Sequence, residues 1–582
     1  MHAKQLYRLY TQFFQKQSHQ LIPSAPLVPA NDPSVLFNTA GMMPLVPYFS
    51  GLPHPLGRRI VNIQKCLRTV DFDNIGDNSH HTFFQMLGNW SLGDYFKKEA
   101  IAWSFQFLTG KEWLNLPLNR LAFTVYEGDE KVPKDEESFK LWQKQGVSKE
   151  RIAFWGKDNF WIAGDTGPSG PSTEMFYWSG EGDAPEKFDP ADNRWLEIWN
   201  DVFMMYEKKE DRSIVPLKQK NVDTGMGFER TLAVLNGQKS AYETDLFLPI
   251  IKKLETLSGK NYQQHKKEMR IVVDHLRAAV FILGDDVPVI PSNVDRGYIL
   301  RRLIRRAVRY AKLLSMESSL VPVAESVVQE YQEMYPELEK NKAVIFEELK
   351  KEEERFKKTL ETGLKEFEKM SAHSKTISGK DAFLLFQSYG FPLELTEEMS
   401  DEKKIKVDVH GFLAEQEKHK ELSRVGAEQK FKGGLADSSE MVVRMHTATH
   451  LLNEALRKVI SPDIHQRGSN ITPERLRFDF NFPRKLTVEE IKKVEDEVNR
   501  VVESDLKVIR KEMPREQAEK LGAEKEFGLK YPEKVSVYFV GEYSKEFCGG
   551  PHVQHTGEVG KFKIIKEEAV AAGVRRIKAR VE

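Results

Sequence analysis

The sequence predicts a multidomain α+β chain, and three observations carry that prediction. Short alternating apolar and polar runs, punctuated by Gly and Pro, recur through the first 240 positions and read as strands joined by turns. From Tyr242 the apolar spacing lengthens to the helical period. From residue 441 the pattern becomes mixed again, around two short His/Cys motifs. A length of 582 residues agrees with about three or four domains. The expected division is 1–240, 241–400, a linker over 401–440, and 441–582.

Bulk properties narrow the classes. Basic and acidic residues balance at 87 each, so any nucleic-acid contact must come from local clustering. Only Cys66 and Cys548 are present, which excludes a disulfide framework and fits a reducing cytoplasm. No apolar run approaches the ~18 residues of a membrane span, so no membrane partner is expected.

The elements follow in order. MHAKQLYRLYTQFFQK reads as an amphipathic helix without a signal-peptide core. LIPSAPLVP and VLFNTAGM read as Pro-punctuated strands. Residues 58–68 and 82–96 form two strands around the polar loop TVDFDNIGDNSHH. Such a hairpin either wraps a ligand, with Arg68 at its mouth for a phosphate, or is a surface hairpin with a solvated arginine. GDTGPSGPSTE, from Gly164 to Glu174, reads as a tight loop just after Trp161. VDTGMGFER, from Val222 to Arg230, runs from a strand into a helix. There the glycines admit a ligand to the backbone, Asp223 can pair with an ammonium, and Arg230 can meet a polyphosphate.

Arg296 to Lys312, RGYILRRLIRRAVRYAK, carries seven cations and no acid. Leu300, Leu303, Ile304, Ala307 and Val308 make a buried stripe, and Arg301, Arg302, Arg305 and Arg306 are expected on an opposite face that binds phosphates. Leu349, Phe356, Leu360, Leu364 and Phe367 mark a long helix packed in a bundle. His446 and His450 stand four apart at the start of another helix, on one face of it. Cys548-Gly-Gly-Pro-His552 repeats the step in a turn. The four side chains suit tetrahedral zinc, either structural or functional.

HHTFFQMLGNWSLGDYFK and VDTGMGFER resemble motifs of class II aminoacyl-tRNA synthetases in their alanine-specific form. FFQKQSHQLIPSAPLVPANDPSVLFNTAGM, GDTGPSGPSTE and EIWN are similar to other segments of that family. The resemblance implies an antiparallel sheet that holds bent ATP with Mg²⁺ and L-alanine. Arg68 would then bind the α-phosphate and orient the alanine carboxylate, and Arg230 the terminal phosphate. Asp223 would take the amino group, Gly225 keep the pocket small, Trp161 wall it and Asn200 line it. Gln85 stands where the family has Glu, which touches an adenine or ribose contact. The helical arm would read the acceptor stem of tRNA(Ala) at a G·U pair. Asn293 matches one residue that contacts the pair, and Gln387 stands in place of the usual Asp.

His446, His450, Cys548 and His552 match the zinc ligands of the family's editing domain, one ion per chain, supported by Gln466-Arg-Gly-Ser469, Arg475 to Phe480 and Ala571 to Arg576. Thr449 and Gln466 are expected to line that pocket. Its purpose would be to hydrolyse esters of serine and glycine, since a small pocket rejects an added hydroxyl by only roughly a hundredfold and cannot exclude a smaller residue. The family's β-barrel insert is missing before the zinc motif, and so is its C-terminal dimerisation and tRNA-binding region. The expectation is a short, monomeric form. Two competitors remain: a zinc-dependent deacylase of mischarged tRNA whose N-terminal half only binds RNA, and a non-catalytic RNA-binding relative.

Overall fold

The first helix, Ala3–Lys16, forms where its apolar period places it and buries Leu6, Tyr10, Phe13 and Phe14. It belongs to the first of two units in this computed structural model, Met1–Phe412 and Leu413–Glu582. The structure describes all residues except 31–34, 70–71, 165, 373, 430–438, 525–532 and 572–573, and the backbone alone at 73, 420–429, 569 and 571.

The first unit is built on nine strands: β1 Gln20–Leu21, β2 Arg59–Leu67, β3 Phe83–Leu92, β4 Leu121–Tyr126, β5 Ile152–Trp155, β6 Phe160–Ile162, β7 Gly167–Trp178, β8 Trp195–Lys208 and β9 Ile214–Gly227. Their order is β1-β2-β3-β9-β8-β7-β4-β5, with β6 paired to β7. Pairing is antiparallel except at the two edges, β1 with β2 and β4 with β5. The expected hairpin is β2–β3, in register from Arg59 opposite Ser91 to Leu67 opposite Phe83.

Two expectations about strands are corrected. LIPSAPLVP and VLFNTAGM do not make ladders beyond Leu21. Pro23, Pro26 and Pro29 have no N–H to give, and the described part of the segment is tied by single bonds instead. Ala25 N donates to Gln64 Oε1 at 2.9 Å, and Asn38 N to Leu27 O at 2.8 Å. GDTGPSGPSTE is strand rather than loop from Gly167 on, where β7 opens. Gly170 shows why glycine is needed: a Cβ there would lie 1.9 Å from Phe203 O, where β7 bulges against β8.

Alternation along the strands gives the sheet two faces. One carries Gln85, Asn89, Thr224 and Asp201 and is covered by helices: Tyr10 donates to Asn89 at 2.9 Å and Ser104 to Asp201 at 2.8 Å. The other carries Trp90, Asp223, Gly225, Asn200 and Glu174, adjacent through register.

Beyond the sheet, helices run through Lys266–Gly284, Asp295–Leu313, Lys342–Ala372, Gly379–Tyr389 and Leu393–Glu402. They share one apolar core with the sheet, from Ala3 to Phe412. The arginines of the Asp295–Leu313 helix do not form an open cationic face. Arg301 and Arg305 pair with Glu352, Arg302 with Glu394, Arg306 with Glu398, and Arg309 with Glu402. Arg301, Arg305, Arg306 and Arg309 are each at most 8% exposed. A buried guanidinium must be paired, and the acids of two later helices supply the partners.

The second unit packs the Glu440–Val459 and Val488–Glu503 helices with a four-stranded sheet, ordered Gln466–Thr472, Arg475–Asn481, Val574–Val581 and Phe562–Ala571. A three-stranded sheet, Val508–Pro514, Lys534–Val540 and Ser544–Phe547, carries a small core of its own. The short charged helix expected before the His446 motif is Val409–Gln429, and most of FKGGLADSSE lies outside the described residues. Among the described residues no helix is long and apolar enough to cross a membrane.

Candidate active site and metal centre

On the face of the sheet that carries Trp90, Asp223 accepts a hydrogen bond from Trp90 Nε1 at 2.7 Å. Burial pushes its carboxyl up to about 7, and the Trp90 bond offsets part of that rise. Gly225 follows on the same face, and a Cβ there would come within 2.9 Å of Met86 Sδ. Opposite it on β8, Asn200 has a buried Oδ1 with no hydrogen-bond partner. Trp161, on β6, packs against the cluster that contains Trp90. Arg230 begins the Phe228–Leu235 helix; its Nη1 donates to Glu197 O at 3.3 Å and lies 3.6 Å from the Glu197 carboxylate. Arg68, exposed just past β2, lies over the Phe84 ring at 4.9 Å and donates from Nε to Thr39 O at 3.2 Å. Asp223, Gly225 and Asn200 are thus brought together by register, and Trp161 by packing. Arg68 and Arg230 flank the same sheet at the ends of β2 and β9.

Three further groups belong here that sequence reading passed over. Glu174 lies beside Asn200 in register, and burial and the Glu197 charge push its carboxyl up to about 8. It closes the glycine-rich segment, which was its signal in the sequence. Glu229 and Arg277 form a fully buried ion pair, and Glu229 also accepts from Gln85 N at 3.1 Å. This pair anchors the helix start that carries Arg230. No local pattern joins residues so far apart.

In the second unit, His446, His450, Cys548 and His552 bring one ligand atom each within 4.8 Å of one another. Cys548 Sγ is 3.4 Å from Nε2 of both His446 and His552. Tetrahedral zinc, with bonds of ~2.3 Å to sulfur and ~2.0 Å to nitrogen, needs about that N···S spacing. The Nδ1 atoms are engaged outward: His446 with Pro551 O at 2.9 Å, His552 with Thr447 Oγ1 at 3.1 Å, and His450 with Glu546. Such bonds fix the tautomer that turns Nε2 inward, and that of His450 is buried. Burial opposes a thiolate at Cys548, but hydrogen bonds and charge from the three imidazoles, His446 foremost, hold its pKa well below the usual thiol range. The donor set therefore fits zinc. Thr449 lies between the two histidines and donates to Met445 O at 2.9 Å. Gln466 donates to Ser469 within its own strand at 3.2 Å. Glu546, held by Asn453 at 3.0 Å, was not singled out from sequence. It stands two residues before Cys548.

A profile described as tRNA synthetases class II (A) matches residues 5–464, and one described as the second additional domain of threonyl and alanyl tRNA synthetases matches 535–578. The alanine–tRNA ligase of Treponema pallidum is 50% identical over 593 residues, covering 100% of this chain and 98% of that protein. That of Treponema denticola is 51% identical, covering 98% of each. The chain belongs to the alanine–tRNA ligase family. A longer member, from Halalkalibacterium halodurans, is 37% identical, with 79% of its length covered.

Family membership gives the remaining expected positions their context. Gln85 lies on the helix-covered face: Nε2 donates to Tyr335 at 3.0 Å and Oε1 accepts from Arg277 at 3.4 Å. Asn293 and Gln387 are both exposed, one just before the Asp295–Leu313 helix and one in the Gly379–Tyr389 helix.

Proposed function

We propose that this chain attaches alanine to tRNA(Ala) on the Asp223 face of its sheet and hydrolyses mischarged Ser-tRNA(Ala) and Gly-tRNA(Ala) at the His/Cys centre. The observation that carries the first half is the row of Asp223, Gly225 and the unpartnered Asn200 Oδ1, an acceptor-lined and sterically small pocket.

The ammonium of alanine pairs with Asp223 and donates to Asn200 Oδ1, while Gly225, Met86 and Trp161 leave room for a methyl group. ATP enters as its Mg²⁺ complex. Arg68 binds the α-phosphate and the alanine carboxylate together, and Arg230 the terminal phosphate. The carboxylate oxygen attacks the α-phosphorus, the bond to the β-phosphate oxygen breaks, and pyrophosphate leaves. The chain contributes alignment and charge neutralisation rather than a covalent step. A ribose hydroxyl at the tRNA 3′ end then displaces AMP from the adenylate.

A methyl-sized pocket cannot exclude glycine and rejects serine by only roughly a hundredfold, which gives the second centre its purpose. The spacing of the four ligands supports one zinc ion, which would supply Lewis acidity toward the ester or its amino group. Thr449 and Gln466 would line the pocket beside it. Two cysteines in 582 residues, neither in a disulfide, support a reducing compartment such as the cytoplasm.

Alanine-dependent ATP–pyrophosphate exchange and Ser-tRNA(Ala) hydrolysis test the two halves. Both activities are expected. Hydrolysis without exchange would favour the deacylase reading instead, and neither activity would leave only an RNA-binding protein.

A further inference from the structure

Arg301 and Arg305 converge on one carboxylate. Glu352, on the Lys342–Ala372 helix and 4% exposed, places Oε1 3.1 Å from Arg301 Nε and 2.7 Å from Arg305 Nε. Each guanidinium has a second partner. Arg301 Nη1 donates to Asn293 Oδ1. Arg305 Nη1 donates to Gly390 O. Gly390 takes a left-handed φ of 73° and ends the Gly379–Tyr389 helix, which carries Gln387. Thr359, two turns along from Glu352, ties the same end by donating to Tyr389 O at 2.7 Å.

The chemistry of these bonds fixes more than position. A guanidinium has only donors, so Arg301 can hold Asn293 only through its carbonyl oxygen. The Asn293 amide therefore turns its N–H groups away from the arginine, on an exposed residue. Toward a minor groove it offers donors, which suit base N3 and O2 acceptors and 2′-hydroxyls.

We propose that Glu352 is the positioning residue for acceptor-stem reading: through Arg301 it locks Asn293 as a donor, and through Arg305 it fixes the helix end that carries Gln387. This rests on the reading that Asn293 and Gln387 touch the RNA. It also gives the internal arginines a role, since they aim the reading groups.

The test compares Glu352→Gln, Asn293→Asp and Asn293→Ala with the unaltered full chain on acceptor-stem duplexes bearing G·U or G·C. A circular-dichroism melt and alanine-dependent exchange report on folding and on the sheet. Glu352→Gln is expected to keep exchange within about twofold, while kcat/KM for G·U charging falls about tenfold and the G·U preference narrows by a similar factor. Asn293→Asp, which cannot donate, is expected to lose the same preference. Unchanged charging and preference in folded Glu352→Gln would overturn the proposal, as would loss of exchange in step with charging, which would mark a merely structural group. An unchanged preference in Asn293→Ala would instead refute RNA contact by Asn293, whatever Glu352 does.

Discussion

Asp223 accepts a hydrogen bond from the Trp90 indole N–H, and burial holds its carboxyl at about 7 against an ordinary 3.8. It is half ionised near neutral pH, and only the anion pairs with an ammonium. The KM for alanine in exchange is therefore expected to fall as pH rises through about 7, with the KM for ATP flat by comparison. The sign for stability is opposite. Between 3.8 and about 7 the unfolded carboxyl releases a proton that the folded one keeps, so stability falls across this window as pH rises. Asp223→Asn should flatten both profiles, and an alanine KM with the same pH slope in that variant would refute the role. Gly225 makes a second residue-scale prediction. Its missing Cβ would stand 2.9 Å from Met86 Sδ, so Gly225→Ala should lower kcat/KM for alanine by roughly ten- to hundredfold and spare ATP. These residues were legible in the sequence, because Asp and Gly stand in one short strand-to-helix segment. Glu174 and Asn200 became neighbours only through register across two strands.

At the scale of elements, the Asp295–Leu313 helix separates what periodicity can say from what it cannot. Its apolar stripe is where the spacing puts it, with Leu300, Leu303, Ile304 and Ala307 fully buried. Its arginines looked like a phosphate-binding face because no acid lies among them. The acids lie elsewhere, at Glu352, Glu394, Glu398 and Glu402 on two later helices, and no window along the chain contains both partners. Arg306 also donates to Phe72 O at 3.2 Å and meets His275 Nε2 at 2.8 Å, so one guanidinium joins three elements. Glu398→Ala would leave it with a buried, unpaired charge and should cost ~3–5 kcal/mol in urea unfolding of the first unit. An arginine bound to phosphate contributes to the salt dependence of tRNA binding, about one unit of slope each. Arg306→Gln should leave that slope unaltered, and a slope reduced by one unit would return Arg306 to the RNA.

At the scale of the molecule, the two units have separate cores, one from Ala3 to Phe412 and one from Val442 to Val581. The four candidate metal ligands all lie in the second unit. Removing zinc with a chelator is therefore expected to stop Ser-tRNA(Ala) hydrolysis and spare alanine-dependent exchange. Metal analysis should find one zinc per chain, and far less in Cys548→Ala. Equal zinc in that variant would remove Cys548 from the ligand set.

The sequence by itself determined the α+β class, the helical arm, the clustering of the His/Cys quartet and the family, because each rests on local spacing or on short segments that carry their chemistry with them. Tertiary structure decided which charges are spent on one another. It also decided that β7 is a strand where the glycines suggested a loop, and that Gln85 faces the helices. These outcomes depend on partners brought close by folding: an arginine is solvated, bound to phosphate or paired according to what packs against it, and desolvation makes that neighbour decisive.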